Sequence, residues 1–228
     1  MRGIERGNNQ AELLMEIHKR LLGGYGDPHW WPGETPYEVI AGAILTQNTA
    51  WSNVEKAIAN FSGRLAPDYV MSLDQSSLAE IIRPAGFYNQ KAGYLLTVTQ
   101  WFGQYGYCVE TVRGMPMGRV RAELLSLKGV GRETADSILL YAFGFPSFVV
   151  DAYTMRLVEK LPLDAGNDYE TVKAYYEQNL PFDVKLFNEF HALIVLNGNT
   201  YCRKTPKCGN CPLQEVCAQG KRYLQTVG

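Results

Sequence analysis

The sequence predicts an all-α fold built from many short helices. Three observations point there: apolar residues recur at helical spacing along nearly the whole chain, no segment sustains the period-two alternation of a strand, and Gly, Pro, Asp and Asn punctuate the gaps. Asn9 stands three residues before Glu12 as a capping box, Leu13, Leu14, Ile17 and Leu21 follow at helical spacing, and Gly23-Gly24 stop the element. Thr35 reads as a second N-cap, with Pro36 at the first helical position and Glu38 at the third, ahead of Val39, Ile40, Ala43 and Ile44. Ser52 with Glu55 opens a third helix bearing Val54 and Ile58. Further helices fall near 76–83, 88–105, 119–126, 132–142, 152–161, 168–179 and 184–197. Breakers such as Arg83-Pro84-Ala85-Gly86 and Gly144-Phe145-Pro146 separate them, and Phe148-Val149-Val150 is extended too briefly to make a sheet. There is no internal repeat and no long linker.

The 228 residues are 46% hydrophobic, which excludes low-complexity disorder because burial can offset the entropy of ordering. No apolar run approaches the ~18 residues that a membrane span needs. The opening MRGIERGNNQ has no apolar core of a signal peptide, so the expectation is a cytoplasmic protein, nucleoid-associated in a prokaryote, with no membrane partner. With 22 basic and 23 acidic side chains the chain is not globally basic. Residues 199–228, however, carry Arg203, Lys204, Lys207, Lys221 and Arg222 against Glu215 alone, a local patch able to meet phosphates. Four of the five cysteines lie between Cys202 and Cys217, which favours a metal site over a disulfide scaffold. Cys108 stands apart and reads as a small buried hydrophobe.

Four motifs can carry chemistry. Leu127-Lys128-Gly129-Val130-Gly131 joins two helical segments. Its glycines permit a tight turn, and the amides that open the helix at Arg132 suit a phosphate oxygen, although an αα-turn needs glycine for steric reasons too. Asp151 follows Phe148-Val149-Val150 and opens a helix; it reads as an N-cap, a role compatible with aiming its carboxylate at a substrate. Cys202, Cys208, Cys211 and Cys217, spaced C-x5-C-x2-C-x5-C, can close around one centre, and spacing alone leaves a [4Fe–4S] cluster and zinc both open. Pinned between ligands, Arg203, Lys204 and Lys207 could face a phosphate backbone. Trp30, Trp31, Pro32 and Trp51, with Gln47 and Asn48 among them, are either core or flat walls for a base or a cation.

Taken together, these motifs resemble the endonuclease III superfamily, the helix-hairpin-helix DNA glycosylases, over about residues 30–217. Leu127 to Asp136 is similar to the family hairpin, Val149-Val150-Asp151 to the segment carrying its essential aspartate, and the four cysteines to its [4Fe–4S] loop, with a first gap of five residues where six is usual. Bifunctional members carry a lysine between the Arg and Thr of the hairpin helix. Here Glu133 occupies that position, and a carboxylate cannot form the Schiff base of a lyase reaction. Ala43 stands where the adenine-specific branch has a catalytic glutamate. Within the superfamily the chain is most similar to the 3-methyladenine DNA glycosylase III branch, through Trp30-Trp31-Pro32, Gly42 to Thr49, Arg83 to Ala92 and the hairpin.

The resemblance implies a two-lobed helix-hairpin-helix glycosylase fold: a helical barrel over 36–147, and a discontinuous second domain of 1–35 plus 148–228 carrying the cluster loop 202–217. A cleft between the lobes would hold the base, with Asp151 at its mouth. It implies a monofunctional enzyme, a monomer acting on damaged double-stranded DNA, that hydrolyses the N-glycosidic bond of a flipped alkylated purine. Asp151 would stabilise the oxocarbenium ion, Trp31 and Trp51 would sandwich the base, and Gln47 would fill the vacated stack. Gly129, Val130, Gly131 and Arg132, with the basic loop, would grip phosphates. Two alternatives stand beside this: a glycosylase for an oxidised pyrimidine or mismatched thymine, with or without lyase activity, and a non-catalytic DNA-binding iron–sulfur protein.

Overall fold

The computed structural model describes residues 2–31 and 33–227, with the side chains of 2–8 and 227 excepted. Among the described residues there are helices and no strands, so the all-α expectation holds. The chain divides into two compact units, Trp31–Phe145 and Met1–Trp30 with Pro146–Gly228, whereas the sequence suggested breaks near 36 and 147.

The unit Trp31–Phe145 holds α2 (Pro36–Leu45), α3 (Trp51–Ala59), α4 (Pro67–Met71), α5 (Gln75–Ile81), α6 (Tyr88–Gly103), α7 (Val109–Arg113), α8 (Met117–Ser126) and α9 (Arg132–Ser137). α2 starts as its sequence dictates: the Thr35 hydroxyl accepts from the Glu38 amide, with Pro36 at the first position. α3 begins one residue before the expected Ser52 cap. Its N-cap is Ala50, which offers no side-chain acceptor. α9 does not run on to 142 as an α-helix. It passes into a π-helical turn over Ile138–Ala142, in which the Phe143 amide reaches back to the Ile138 carbonyl. α4 and α7, five residues each, were too short for periodicity to reveal. Ile40, Ile44, Phe61, Leu95, Phe102 and Phe143 belong to the unit's core.

Two buried polar contacts brace this unit. Arg121 of α8 grips the fully buried Asp136 of α9 through two N–H···O bonds of 2.9 and 3.0 Å, fixing the two helices of the hairpin. Lys91, 2% exposed, donates from Nζ to the carbonyls of Leu45 (2.7 Å) and Ala85 (2.8 Å). Burial pushes the Lys91 ammonium down to about 8. The folded state therefore releases this proton more readily than the unfolded chain, whose lysine titrates near ~10.4. The stability that Lys91 contributes rises as pH climbs from about 8 towards ~10.4. Urea unfolding of wild type at about pH 7.5 and about pH 9.5 should show that gain, and Lys91→Met should lack it; equal slopes in the two proteins would refute the assignment.

The other unit holds α1 (Arg2–Tyr25), α10 (Ala152–Val158), α11 (Tyr169–Asn179), α12 (Val184–Thr200) and α13 (Ala218–Val227). α1 runs straight through Asn9, so the expected cap there is wrong. Asn and its neighbours cost only about 0.6 kcal/mol in a helix interior, too little to stop one. Gly23 and Gly24 also lie inside α1, and the chain turns at Gly26, whose φ is +72°. Leu14, Ile17 and Leu21 are fully buried, as are Phe187, Phe190 and Leu193 of α12. No helix of the described residues is long and apolar enough to cross a membrane.

Candidate active site

Asp151 is delivered by an extended, buried segment. Val149 and Val150 are each 1% exposed, and α11 clamps the segment just before them. The Phe148 amide donates to Glu177 Oε1 at 2.9 Å, while the Lys173 ammonium donates to Ser147 Oγ at 2.6 Å and pairs with Glu177. The Phe148 ring lies flat on Tyr176 with centroids 4.2 Å apart. Asp151 then caps α10: its Oδ1 accepts from the Thr154 amide (2.7 Å) and the Thr154 hydroxyl (2.9 Å). Both bonds fall on one oxygen. The other, Oδ2, faces His191 Nε2 at 3.8 Å, and the carboxylate side chain is 11% exposed. Capping and an aimed carboxylate thus coexist at this residue.

Beneath it the surroundings are buried and polar. His191 of α12 is 5% exposed; burial holds its imidazole below the ordinary range, against the opposing pull of Asp151. The Tyr176 hydroxyl is buried with no hydrogen-bond partner among the described residues, and burial, with smaller pushes from Tyr175 and Asp151, raises its pKa and keeps it protonated. Nothing in the sequence singled out His191 or Tyr176. Both sit in apolar helical patterns, where a buried polar group reads as core.

The hairpin turn lies between α8 and α9. Gly129 has φ +87°, and a Cβ there would stand 2.1 Å from the Tyr94 ring, so glycine is demanded twice over. Gly131 is different: it has an extended backbone, open space around it, and serves as the N-cap of α9. Val130 is buried and anchors the turn, while Gly131, Arg132 and Glu133 are exposed. Gln47 is tied to this hairpin, its Nε2 donating to the Gly129 carbonyl at 2.9 Å and to Thr134 Oγ1 at 3.0 Å.

The aromatic residues divide. Trp31 and Trp51 meet, but edge to face, with centroids 5.4 Å apart and planes at 87°. The expected pair of parallel walls is therefore not formed by these two rings: edge and face attract through the ring quadrupole and leave no slot. Tyr141, carried by the π-helical turn, adds a third ring at 5.0 Å from Trp31. Gly42 of α2 forms the floor, since a Cβ there would lie 3.4 Å from Trp31 Nε1 and 3.6 Å from Trp51. Trp30 belongs to the other unit, where it lines an open cavity of about 490 Å³ with Asp27, Asp183 and Lys185. Pro32 lies outside the described residues.

One exposed ring escaped the sequence reading. Phe87 is 66% exposed and holds a left-handed backbone, φ +45°, directly after Gly86 at φ +67°. Its turn is bound to the loop that carries Gln47, because Thr49 Oγ1 donates to the Ala85 carbonyl at 2.6 Å and Lys91 bridges Leu45 and Ala85.

Cys202, Cys208, Cys211 and Cys217 line one cavity with Lys160 and Asn197. Lys160 Nζ stands 3.6 Å from Cys202 Sγ, and Arg156 donates to the Cys202 carbonyl at 2.7 Å. Burial, joined by the charges of the neighbouring cysteines, pushes the thiols of Cys208 and Cys211 up. Among the described residues no three His, Cys, Asp or Glu converge closely enough to hold a single metal ion. Arg203, Lys204 and Lys207 are exposed on the loop between the first two cysteines. Cys108 is exposed, not buried as expected: the turn before it places Gly106 and Tyr107 at φ +62° and +55° and brings it to the surface.

Comparison with known proteins agrees with this geometry. A Methanocaldococcus jannaschii protein provisionally named a DNA repair glycosylase is 48% identical over 214 residues, covering 92% of this chain and 97% of that protein. Escherichia coli endonuclease III is 26% identical over 80% of this chain and 83% of its own length. Among solved structures, the H. pylori 3-methyladenine DNA glycosylase bound to 1,N6-ethenoadenine superposes with a TM-score of 0.70 at 27% identity, covering 85% of this chain and 97% of that one. An endonuclease III–DNA complex shares the fold, with a TM-score of 0.76 at 22% identity, covering 94% and 98%. Residues 41–182, from α2 through the hairpin and Asp151 to the end of α11, match the HhH-GPD superfamily base excision DNA repair proteins, and the chain belongs to that superfamily.

Proposed function

We propose that this protein is a monofunctional DNA glycosylase that removes an alkylated purine from duplex DNA and leaves an abasic site. The observation that carries the reading is Asp151, an N-capped carboxylate with one oxygen fixed by Thr154 and the other uncommitted to the helix. Alkylation at N3 or N7 makes the purine cationic, so it departs without a general acid. The C1′–N bond breaks with its electron pair on the base, and the sugar becomes an oxocarbenium ion that a fixed carboxylate stabilises. Water adds its oxygen to C1′, and its proton passes to the carboxylate or to solvent. The aromatic corner of Trp31, Trp51 and Tyr141 supports a cationic base, because an electron-rich ring face gains more from a cation than from a neutral ring. Glu133, exposed on the first turn of α9, supplies no amine for a Schiff base. The 3-methyladenine glycosylase among the similar structures supports the same substrate class.

We assign the four cysteines to a [4Fe–4S] cluster in preference to zinc. They surround one cavity, and the similarity to endonuclease III supports four-cysteine ligation of a cluster. When bound, the cluster would pin the loop 202–217 and hold Arg203, Lys204 and Lys207 towards phosphates. Gly131 and Arg132, exposed at the amino end of the hairpin helix, are assigned a second phosphate grip. The protein is read as a cytoplasmic monomer.

Incubation with methylated duplex should release free methyladenine, and heating in alkali should then cut the strand at abasic sites. Borohydride should trap no covalent adduct. Release of an oxidised pyrimidine instead, from a panel of single-lesion duplexes, would sink the substrate assignment, and a trapped adduct would sink the monofunctional one. Phe87 is assigned as an apolar wedge that holds the vacated stack, since Gln47 is engaged by the hairpin in the free protein. Phe87→Ala should slow base release from duplex about tenfold and from single-stranded DNA hardly at all, because only the duplex must be unstacked at a cost of a few kcal/mol.

A further inference from the structure

We propose that His191 is a positioning residue for the Asp151 carboxylate, acting as a neutral imidazole that fixes Oδ2 while Thr154 fixes Oδ1. This rests on the assignment of Asp151 above. The two oxygens of Asp151 are used unequally: the hydrogen bonds from Thr154, at 2.7 and 2.9 Å, converge on Oδ1. Oδ2 faces the Nε2 atom of His191 at 3.8 Å, from a different helix and a buried position. A carboxylate held by one oxygen alone can swing about its Cβ–Cγ bond; at 3.8 Å His191 Nε2 makes no hydrogen bond to Oδ2 in the free protein, and a small closure of that gap on substrate binding would bring the second oxygen under a donor as well.

The choice of residue has a reason. A lysine or arginine in this place would cancel the negative charge that stabilises the oxocarbenium ion. An apolar residue would leave Oδ2 facing a buried, poorly solvated wall. A neutral imidazole whose Nε2 carries the proton donates without cancelling. Burial keeps His191 in that neutral form, against the pull of Asp151. On the packed elements, Tyr176 lies on α11 with Lys173 and Glu177 paired to each other, Arg156 and Tyr153 lie on α10, and the His18–Glu189 pair (2.6 Å) joins α1 to α12. Arg156 is turned to the Cys202 carbonyl, Tyr153 to Asn199 and Glu189 to His18, while the Asp151 charge pulls the His191 imidazole upward.

The test uses the full-length protein loaded with its cluster. In single-turnover base release from methylated duplex, His191→Leu should lower the rate about 10- to 100-fold with the dissociation constant for lesion DNA unchanged, the cost of a misaimed group. His191→Gln, whose amide nitrogen falls where Nε2 stands, should recover most of that loss. His191→Asn, whose amide stops one atom short, should not, and this Gln–Asn comparison decides the matter if the Leu variant proves unstable. Independently of activity, the ring proton signals of His191 followed by NMR should titrate about one pH unit lower in Asp151→Asn than in wild type, because the supporting charge is gone. An unchanged His191 titration, or equal rates for the Gln and Asn variants at equal thermal stability, would overturn the proposal. A wild-type protein that releases no base would instead remove the assigned function, while the titration would still report whether the two side chains are coupled.

Discussion

Asp151→Asn is expected to slow base release about 10²–10³-fold while leaving the protein folded and bound to DNA. The separation is possible because the cap it makes and the catalytic role proposed for it rest on different chemistry. As an N-cap it accepts from the Thr154 amide and hydroxyl, and an Asn side-chain oxygen caps a helix as well as Asp does. The extended segment before it is held by Lys173, Glu177 and Tyr176, none of which touches the substituted atom, so the backbone should stay in place. What is lost is the negative charge. Removing a preorganised group aimed at developing transition-state charge costs about 10²–10³ in rate. Binding to duplex should hold or strengthen slightly, since an anion near phosphates has been neutralised. Single-turnover release from methylated duplex, run beside gel-shift affinity and thermal unfolding, separates these effects. Undiminished release would show that another group does the chemistry.

The sequence spoke most clearly where local chemistry decides the outcome. Thr35-Pro36-x-Glu38 starts α2 as written, because cap, proline and dipole agree at one place. Asp151 reads as a cap because an apolar extended run stops at it and its side chain accepts from the Thr154 amide. The failures lie where a weak local preference met a longer element: Asn9 sits inside α1, and Ser52 inside α3, because continuing a helix gains a hydrogen bond per residue while a misplaced polar residue costs tenths of a kcal/mol. Tertiary geometry stayed hidden. That Trp31 and Trp51 lie edge to face over Gly42, and that Tyr141 joins them from a π-helical turn, are facts of packing that have no sequence period. His191 was invisible because its meaning comes from a residue forty positions away. Phe87 was equally hidden, since an aromatic after glycine says nothing of exposure until φ is known.

Gly129→Ala should be the most damaging single-methyl change in the hairpin, with a loss of about 2–5 kcal/mol in unfolding free energy. Two costs add. The backbone at φ +87° disfavours any L side chain by about 1–2 kcal/mol. The new methyl would also meet the Tyr94 ring at 2.1–2.4 Å, a contact that must push the ring or the turn aside, and overpacking of this kind costs about 1–3 kcal/mol. The two can be separated. Gly129→Ala combined with Tyr94→Ala removes the clash but leaves the backbone strain, so it should recover the steric part relative to Tyr94→Ala alone and no more. The functional consequence follows from what the turn holds. Its carbonyl at Gly129 accepts from Gln47, and Val130 seats the hairpin in the core ahead of the exposed amide end of α9. A shifted turn therefore loosens Gln47 and displaces the amides proposed to grip phosphate, and DNA affinity should fall in the single variant and return in part in the double one. Gly131→Ala is the internal control: its backbone is extended and its surroundings are open, so the same methyl two residues later should cost under about 1 kcal/mol. If both alanine variants proved equally stable, the steric account of the turn would be wrong, and its glycines would have to be explained by DNA contact alone.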